Sequence, residues 1–256
     1  MELPGKTVVI TGAGRGIGRA LAERLGRDGG HIALLDLNSE DLRKTRLALE
    51  GAGITARDYT VDVTVEEAVV GAMNAVVRDF GRLDVLVNNA GIIRDALLVK
   101  APVGKSGEIL VKMSLDQWQA VLNVNLTGVF LCGREAAERM IKLGNGGVII
   151  NISSVSRHGN AGQSNYSAAK AGVVALSAVW AKELARHGIR AAALAPGGVR
   201  TEILSTMRPE MLEKLIAPVP LKRLADPSEI ADAAAFVIRN EFFTGRCIDI
   251  DGGAGI

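Results

Sequence analysis

The chain has 256 residues, 48% hydrophobic and 23% charged, with 30 Lys and Arg against 28 Asp and Glu. That length and apolar content supply a sizeable core, and the interspersed, nearly balanced charges exclude nucleic acid and a membrane surface as expected partners. No apolar run is long enough to span a bilayer, Met1–Lys6 leads straight into a strand-like segment, and Cys132 and Cys247 sit far apart in apolar runs. The expectation is a cytoplasmic protein with two reduced thiols.

Strand and helix patterns then alternate along the chain. Lys6–Thr11, His31–Asp36, Arg57–Val63, Leu83–Asn88, Gly147–Ser153, Ile189–Ala195 and Cys247–Asp251 read as strands. Helical patterns separate them, the first from Gly16 to about Asp28 and closed by Gly29-Gly30, the second a charged run from Ser39 to about Glu50. Seven strands divided by helices imply an α/β fold, a doubly wound seven-stranded parallel sheet with helices on both faces. With no linker, repeat or low-complexity tract, residues 1–256 read as one domain.

The first strand-to-helix turn is Thr11-Gly12-Ala13-Gly14-Arg15-Gly16-Ile17-Gly18. Its Gly-x-x-x-Gly-x-Gly spacing removes side chains where a pyrophosphate must approach backbone, and a helix N-terminus points at the same place. Gly12, Arg15, Gly16, Ile17 and Gly18 are therefore candidate cofactor contacts. Asp36, followed by Leu37, ends the second strand, where a carboxylate accepts from an adenine-ribose 2′-hydroxyl and repels a 2′-phosphate. Arg15 points the other way, since a guanidinium in the turn can bind that phosphate. The expectation is NAD, with NADP as the alternative. Asp62-Val63 at the end of the third strand suits an adenine ring, and Asn88-Asn89-Ala90-Gly91 at the end of the fourth suits backbone running beside a ribose.

Further on, Tyr166 and Lys170 are four residues apart and share one helix face. A phenol is a poor proton donor or acceptor near neutrality, and a fixed ammonium beside it favours the phenolate. Segment 164–187 has small or apolar residues almost all round, which calls for burial on two sides.

Taken together, Thr11–Gly18, Asn88–Gly91, Ser154, Tyr166 with Lys170, and Pro196-Gly197 resemble the short-chain dehydrogenase/reductase family in its single-domain form. The resemblance covers the whole chain. It is closest to the 3-oxoacyl-acyl-carrier-protein reductase-like members through Gly159-Asn160-Ala161-Gly162-Gln163-Ser164-Asn165-Tyr166. It implies a Rossmann fold and hydride transfer between a nicotinamide and a small-molecule ketone or secondary alcohol, with no metal. The resemblance gives Asn125, Ser154, Tyr166 and Lys170 as the catalytic set. Tyr166 would be general acid or base, Lys170 would hold the nicotinamide ribose and lower the phenol pKa, and Ser154 would steady the substrate oxygen. Asn125, inside a helix opened by the capping box Ser114-Leu115-Asp116-Gln117, would serve a water-linked proton path from Lys170. Asn89, Ala90, Gly91, Pro196, Gly197, Val199 and Thr201 complete the implied cofactor contacts, Val199 and Thr201 by holding the carboxamide. A homotetramer built partly through the Tyr166 and Asn125 helices is also implied.

The chain departs from the family pattern in two places. Ser154 precedes Tyr166 by 12 positions and Ser153 by the usual 13, so the serine that acts is Ser154 only if the shortening falls near Arg157-His158. An insertion near Ala101–Lys112 could turn a hairpin between Leu97–Val99 and Ile109–Val111, where Lys100, Lys105 and Lys112 would favour an anionic substrate. Residues 202–222, with Pro209, Pro218 and Pro220 and no firm periodicity, resemble the family's substrate lid, with Met207, Met211 and Leu215 as candidate pocket residues. Two rival readings stand beside the main one: an NADPH-dependent 3-oxoacyl-thioester reductase, and a dinucleotide-binding sensor without turnover.

Overall fold

The computed structural model describes residues 1–100, 110–202 and 209–255. Its first half runs β1 (Thr7–Thr11), α1 (Gly16–Arg27), β2 (His31–Asp36), α2 (Ser39–Gly51), β3 (Ala56–Thr60), α3 (Glu66–Phe80) and β4 (Val85–Asn88). The short strands β5 (Val99–Lys100) and β6 (Val111–Lys112) follow, then α4 (Leu115–Leu122), α5 (Gly128–Leu143), β7 (Gly147–Ile152) and α6 (Ser164–Glu183). The chain closes with β8 (Ile189–Pro196), α7 (Pro209–Ile216), α8 (Pro227–Arg239) and β9 (Cys247–Ile250).

Seven strands form one parallel sheet in the order β3-β2-β1-β4-β7-β8-β9. Strand side chains alternate between its faces, as the pleat requires. Val8, Ile10, Ile32, Leu34, Val85 and Val87 join α1, α2 and α8 in one apolar layer. Val9, Ala33, Leu35, Leu86 and Ile149 join α3, α5 and α6 in the other. Burial on both faces is why these strands read as continuous apolar runs. The order reverses between β1 and β4, so the carboxyl ends of these two strands open a crevice between diverging connections.

Local chemistry fixes the element ends. Asn38 caps α2 by accepting from the N–H groups of Glu40 (3.0 Å) and Asp41 (3.1 Å). Ser114 and Gln117 form the reciprocal capping box expected for α4. The third strand ends at Thr60, earlier than expected, because the Asp62 carboxylate turns back to Thr64, accepting from its N–H at 2.9 Å and its hydroxyl at 2.7 Å. The helix holding Tyr166 stops at Glu183, and a 3-10 turn (Ala185–His187) leads into Gly188, which is left-handed with φ +68°. α4 and α5 are not one uniform α-helix either. Asn123–Thr127 widens into a π-helical turn centred on Asn125.

In the insertion, Val99 pairs with Lys112 and Lys100 with Val111, antiparallel, so the pairing starts later than the expected Leu97–Val99. Residues 101–109, with Lys105 and Ile109, lie outside the described residues, as does Met207. The stretch without clear periodicity contains α7, which begins at Pro209, where a missing N–H is no loss. Among the described residues no helix is long and apolar enough to cross a membrane.

Candidate active site

The crevice beside β1 and β4 is a cleft of about 550 Å³. The glycine turn forms one wall, through Gly12, Arg15, Gly16 and Ile17. Gly12 sits at φ +64°, and a Cβ there would lie 2.8 Å from the Ala90 Cα, so the turn and the β4 loop touch backbone to backbone. Asn89 locks that contact, its amide donating to the carbonyls of Thr11 (3.1 Å) and Gly12 (3.0 Å). The Thr11 hydroxyl accepts from the N–H groups of Asn89 (3.0 Å) and Ala90 (3.1 Å). Asn88, by contrast, is buried away from the cleft and donates to Asn151 at 2.8 Å.

Asp36 and Leu37 line the far end of the cleft, with Asp62 and Val63 beside them. One Asp36 oxygen accepts from the Gly14 N–H at 3.0 Å and the other from the Asn38 N–H at 3.1 Å, which holds the carboxylate against the glycine turn. Ala90, Gly91 and Thr201 complete the expected lining. Gly18 lies behind the turn, where a side chain would collide with the Gly12 carbonyl. Pro196, Gly197 and Val199 do not line the cleft. The Gly197 N–H bonds Ile250 at 2.9 Å, and Val199 is bridged to Ala225. Val61, Ile92, Val124 and Glu202 line it although sequence reasoning did not single them out. The residues fit a dinucleotide: a groove walled by bare backbone, a fixed carboxylate at one end and an apolar slot between Leu37 and Val63.

Tyr166, Lys170 and Ser154 meet where β7 ends and α6 begins. The Lys170 ammonium is buried, donates to the Ile152 carbonyl at 2.6 Å and lies 5.6 Å from the centre of the Tyr166 ring. Burial lowers its pKa to about 8. Burial also raises the Tyr166 phenol above its ordinary value, a hydrogen bond from Ser154 works against that rise, and the Asp95 carboxylate adds to it. The expected depression of the phenol by Lys170 is therefore absent from this arrangement. Desolvation disfavours the charged form of both groups and outweighs their proximity. The two serines take different positions. Ser153 is buried and its hydroxyl donates to the Lys170 carbonyl at 2.7 Å, whereas Ser154 faces the phenol and accepts from the Ser156 N–H at 3.1 Å.

Asn125 is fully buried, and both ends of its amide bind one residue, accepting from the Ile92 N–H (2.8 Å) and donating to the Ile92 carbonyl (3.0 Å). It thus fixes the loop that lines the cleft. Arg157 makes a two-pronged ion pair with Asp249 on β9, at 2.5 and 2.9 Å.

Residues 6–212 match the short chain dehydrogenase family profile. A 3-oxoacyl-[acyl-carrier-protein] reductase of Thermotoga maritima is 40% identical over 256 residues, covering 99% of both chains. A (3R)-3-hydroxyacyl-CoA dehydrogenase of Canis lupus familiaris is 36% identical, covering 99% of this chain and 97% of its own. Among solved structures, a 3-ketoacyl-(acyl-carrier-protein) reductase from Brucella melitensis complexed with NADH superposes with a TM-score of 0.87 at 30% identity, covering 99% of both chains. The chain belongs to the short-chain dehydrogenase/reductase family. It is a nicotinamide-dependent oxidoreductase that interconverts a keto group and a secondary alcohol.

Proposed function

We propose that this enzyme is selective for NAD(H) and acts on a small-molecule carbonyl or alcohol through Ser154, Tyr166 and Lys170, with Asn125 as a positioning residue. The observation that carries the cofactor preference is Asp36, whose two oxygens are held by backbone N–H groups at the cleft edge. A carboxylate fixed there accepts from a ribose diol and repels a phosphate. When bound, the nicotinamide supplies or takes up the hydride. Tyr166 gives its proton to the substrate oxygen in reduction and removes it in oxidation. Ser154, next to the phenol, would turn its single hydroxyl proton to the same oxygen. Lys170 stands one helical turn along as the cation next to the phenol, and Asn125 keeps the Ile92 loop in register with α6.

A second reading is favoured by Arg15, which lines the same cleft, and by the relatives named as 3-oxoacyl carrier-protein reductases. It is an NADPH-dependent 3-oxoacyl-thioester reductase. Calorimetric titration with NADH and NADPH separates the two. The first reading expects tighter NADH binding, weakened about tenfold or more in Asp36→Ala. Tighter NADPH binding that collapses in Arg15→Ala overturns it in favour of the second.

The remaining parts of the proposal are a single functional domain, a homotetramer and a cytoplasmic location, in keeping with the free cysteines Cys132 and Cys247.

A further inference from the structure

The helix that bears Tyr166 begins without a side-chain cap from Gln163, the residue in the capping position. The first N–H groups of a helix have no carbonyl one turn back to bond. In α6 the first such bond runs from the Ser167 N–H to the Gln163 carbonyl, at 2.8 Å, so the Tyr166 N–H is one of the orphaned donors. Asn165 takes it up. This side chain is fully buried, and its oxygen accepts from the Tyr166 N–H at 2.8 Å. Its nitrogen carries two protons and uses both, donating to the Arg94 and Gln117 carbonyls, each at 3.0 Å. An amide held on three sides and shielded from water has one orientation.

These three partners belong to three elements around the site. Arg94 lies two residues beyond Ile92, which lines the cleft and is itself held by Asn125. Gln117 lies on α4, and Tyr166 on the first turn of α6. The same loop meets α6 once more, where the Ala96 N–H donates to the Gly162 carbonyl at 2.9 Å. We propose that Asn165 is a positioning residue for proton transfer, which fixes the Tyr166 turn to the Ile92 loop and to α4 and so sets where the phenol stands relative to the cleft. Asn165 does not line that cleft, so its effect reaches the reaction through Tyr166 and not through the cofactor. A misplacement of about 1 Å at a reacting group costs on the order of 10²-fold in rate. This role rests on the proposed reading of Tyr166 as the proton donor.

Asn165→Ala tests it, with Ser177→Ala as the control. Ser177 is also buried on α6, but it lies far from the first turn, accepting from the Asn151 amide at 2.9 Å. The chain has two tyrosines, so tyrosine labelled at the amide nitrogen gives two signals, and Tyr166→Phe identifies the one from Tyr166. In Asn165→Ala that amide should exchange with solvent deuterium about tenfold faster or more, and in Ser177→Ala it should keep the parent rate. The probe for turnover is acetoacetyl-coenzyme A, a 3-oxoacyl thioester, reduced in a single turnover at saturating NADH. Asn165→Ala should slow hydride transfer roughly 10–100-fold, raise its solvent deuterium isotope effect and leave NADH affinity within about twofold. In a Tyr166→Phe background the same replacement should cost nothing further, because no phenol is left to place. Asn165→Ser keeps an acceptor for the Tyr166 N–H and one donor, so it should lie between the parent and Asn165→Ala, and it serves if the Ala variant fails to fold. Parent-like exchange of the Tyr166 amide overturns the inference. So does an equal loss of rate with and without the phenol, or a Ser177→Ala enzyme that loses rate as Asn165→Ala does. A Tyr166→Phe enzyme as fast as the parent is instead a failure of the proposed function, and the amide exchange tells the two failures apart.

Discussion

Burial sets the protonation of the two central side chains and sets it in opposite directions. For Lys170 the folded pKa of about 8 lies below the ordinary 10.5, so between these values the unfolded chain binds the extra proton. Stability therefore rises with pH through that window, and at neutral pH the buried ammonium costs stability. Lys170→Met should be more stable than the parent near neutrality, by roughly 1–3 kcal/mol less the lost bond to Ile152, and the gain should shrink as pH rises from about 8 toward 10.5. Urea midpoints at a neutral and an alkaline pH measure this, and a gain independent of pH would contradict it. Tyr166→Phe removes one hydroxyl and should lower turnover about 10²–10⁴-fold with NADH affinity unchanged. Single-turnover hydride transfer and calorimetry check the two halves. The Tyr166–Lys170 pair was readable in the sequence because helical spacing alone puts both on one face. The division of labour between Ser153 and Ser154 was not, since adjacent residues at a strand end point to opposite sides and a count of positions cannot say which side holds the phenol. The role of Asn165 was invisible for another reason: its partners Arg94 and Gln117 lie 71 and 48 residues away.

At the scale of elements, what sequence could supply followed locality. The five inner sheet strands, β2, β1, β4, β7 and β8, are apolar runs buried on two faces, and the glycine turn owes its shape to its own residues, so both could be read directly. The π-helical turn at Asn123–Thr127 could not, because it exists to satisfy groups on another loop. Asn125 inserts its amide between the Ile92 N–H and carbonyl, and the helix widens there. Asn125→Leu leaves both half-buried Ile92 backbone groups without their amide partner and should cost roughly 1–3 kcal/mol. A melting temperature within a degree or so of the parent would show that water replaces the amide. Among the described residues the insertion pairs only with itself, β5 with β6. Leu98, Val111 and Leu115 are all well exposed, and Lys100 and Lys112 lie on opposite faces of the paired strands. If this hairpin forms one rim of the active-site mouth, deleting residues 101–112 should raise KM for anionic substrates several-fold and leave kcat unchanged. Identical substrate preference after deletion would discard that role.

On the scale of the whole molecule, helices α5 and α6 carry one apolar layer of the core on their inner sides and leave a second apolar surface outside. Along α6 the exposed positions include Ala168, Ala171, Ala175 and Val179, spaced three or four apart, so they form one stripe of small residues. On α5 the exposed Phe130 has the Arg134 guanidinium stacked 5.6 Å from its ring centre. Such a stripe lets two helices approach closely, and a flat arginine over an aromatic ring is a common element of buried interfaces. The segment looked apolar all round in the sequence; one side packs on the sheet, and the proposed tetramer would bury the other. Replacing Ala175 by Arg puts a long cation in the middle of the stripe, away from Tyr166, Lys170 and the cofactor cleft. The parent should sediment as a tetramer, and Ala175→Arg should sediment as a smaller species. Because Ala175 is exposed in the single chain, its replacement leaves the fold of each subunit intact, and far-ultraviolet circular dichroism should be unchanged. A parent that sediments as a monomer at micromolar concentration would remove the tetramer from the proposal. A variant that stays tetrameric would place the interface elsewhere on the surface.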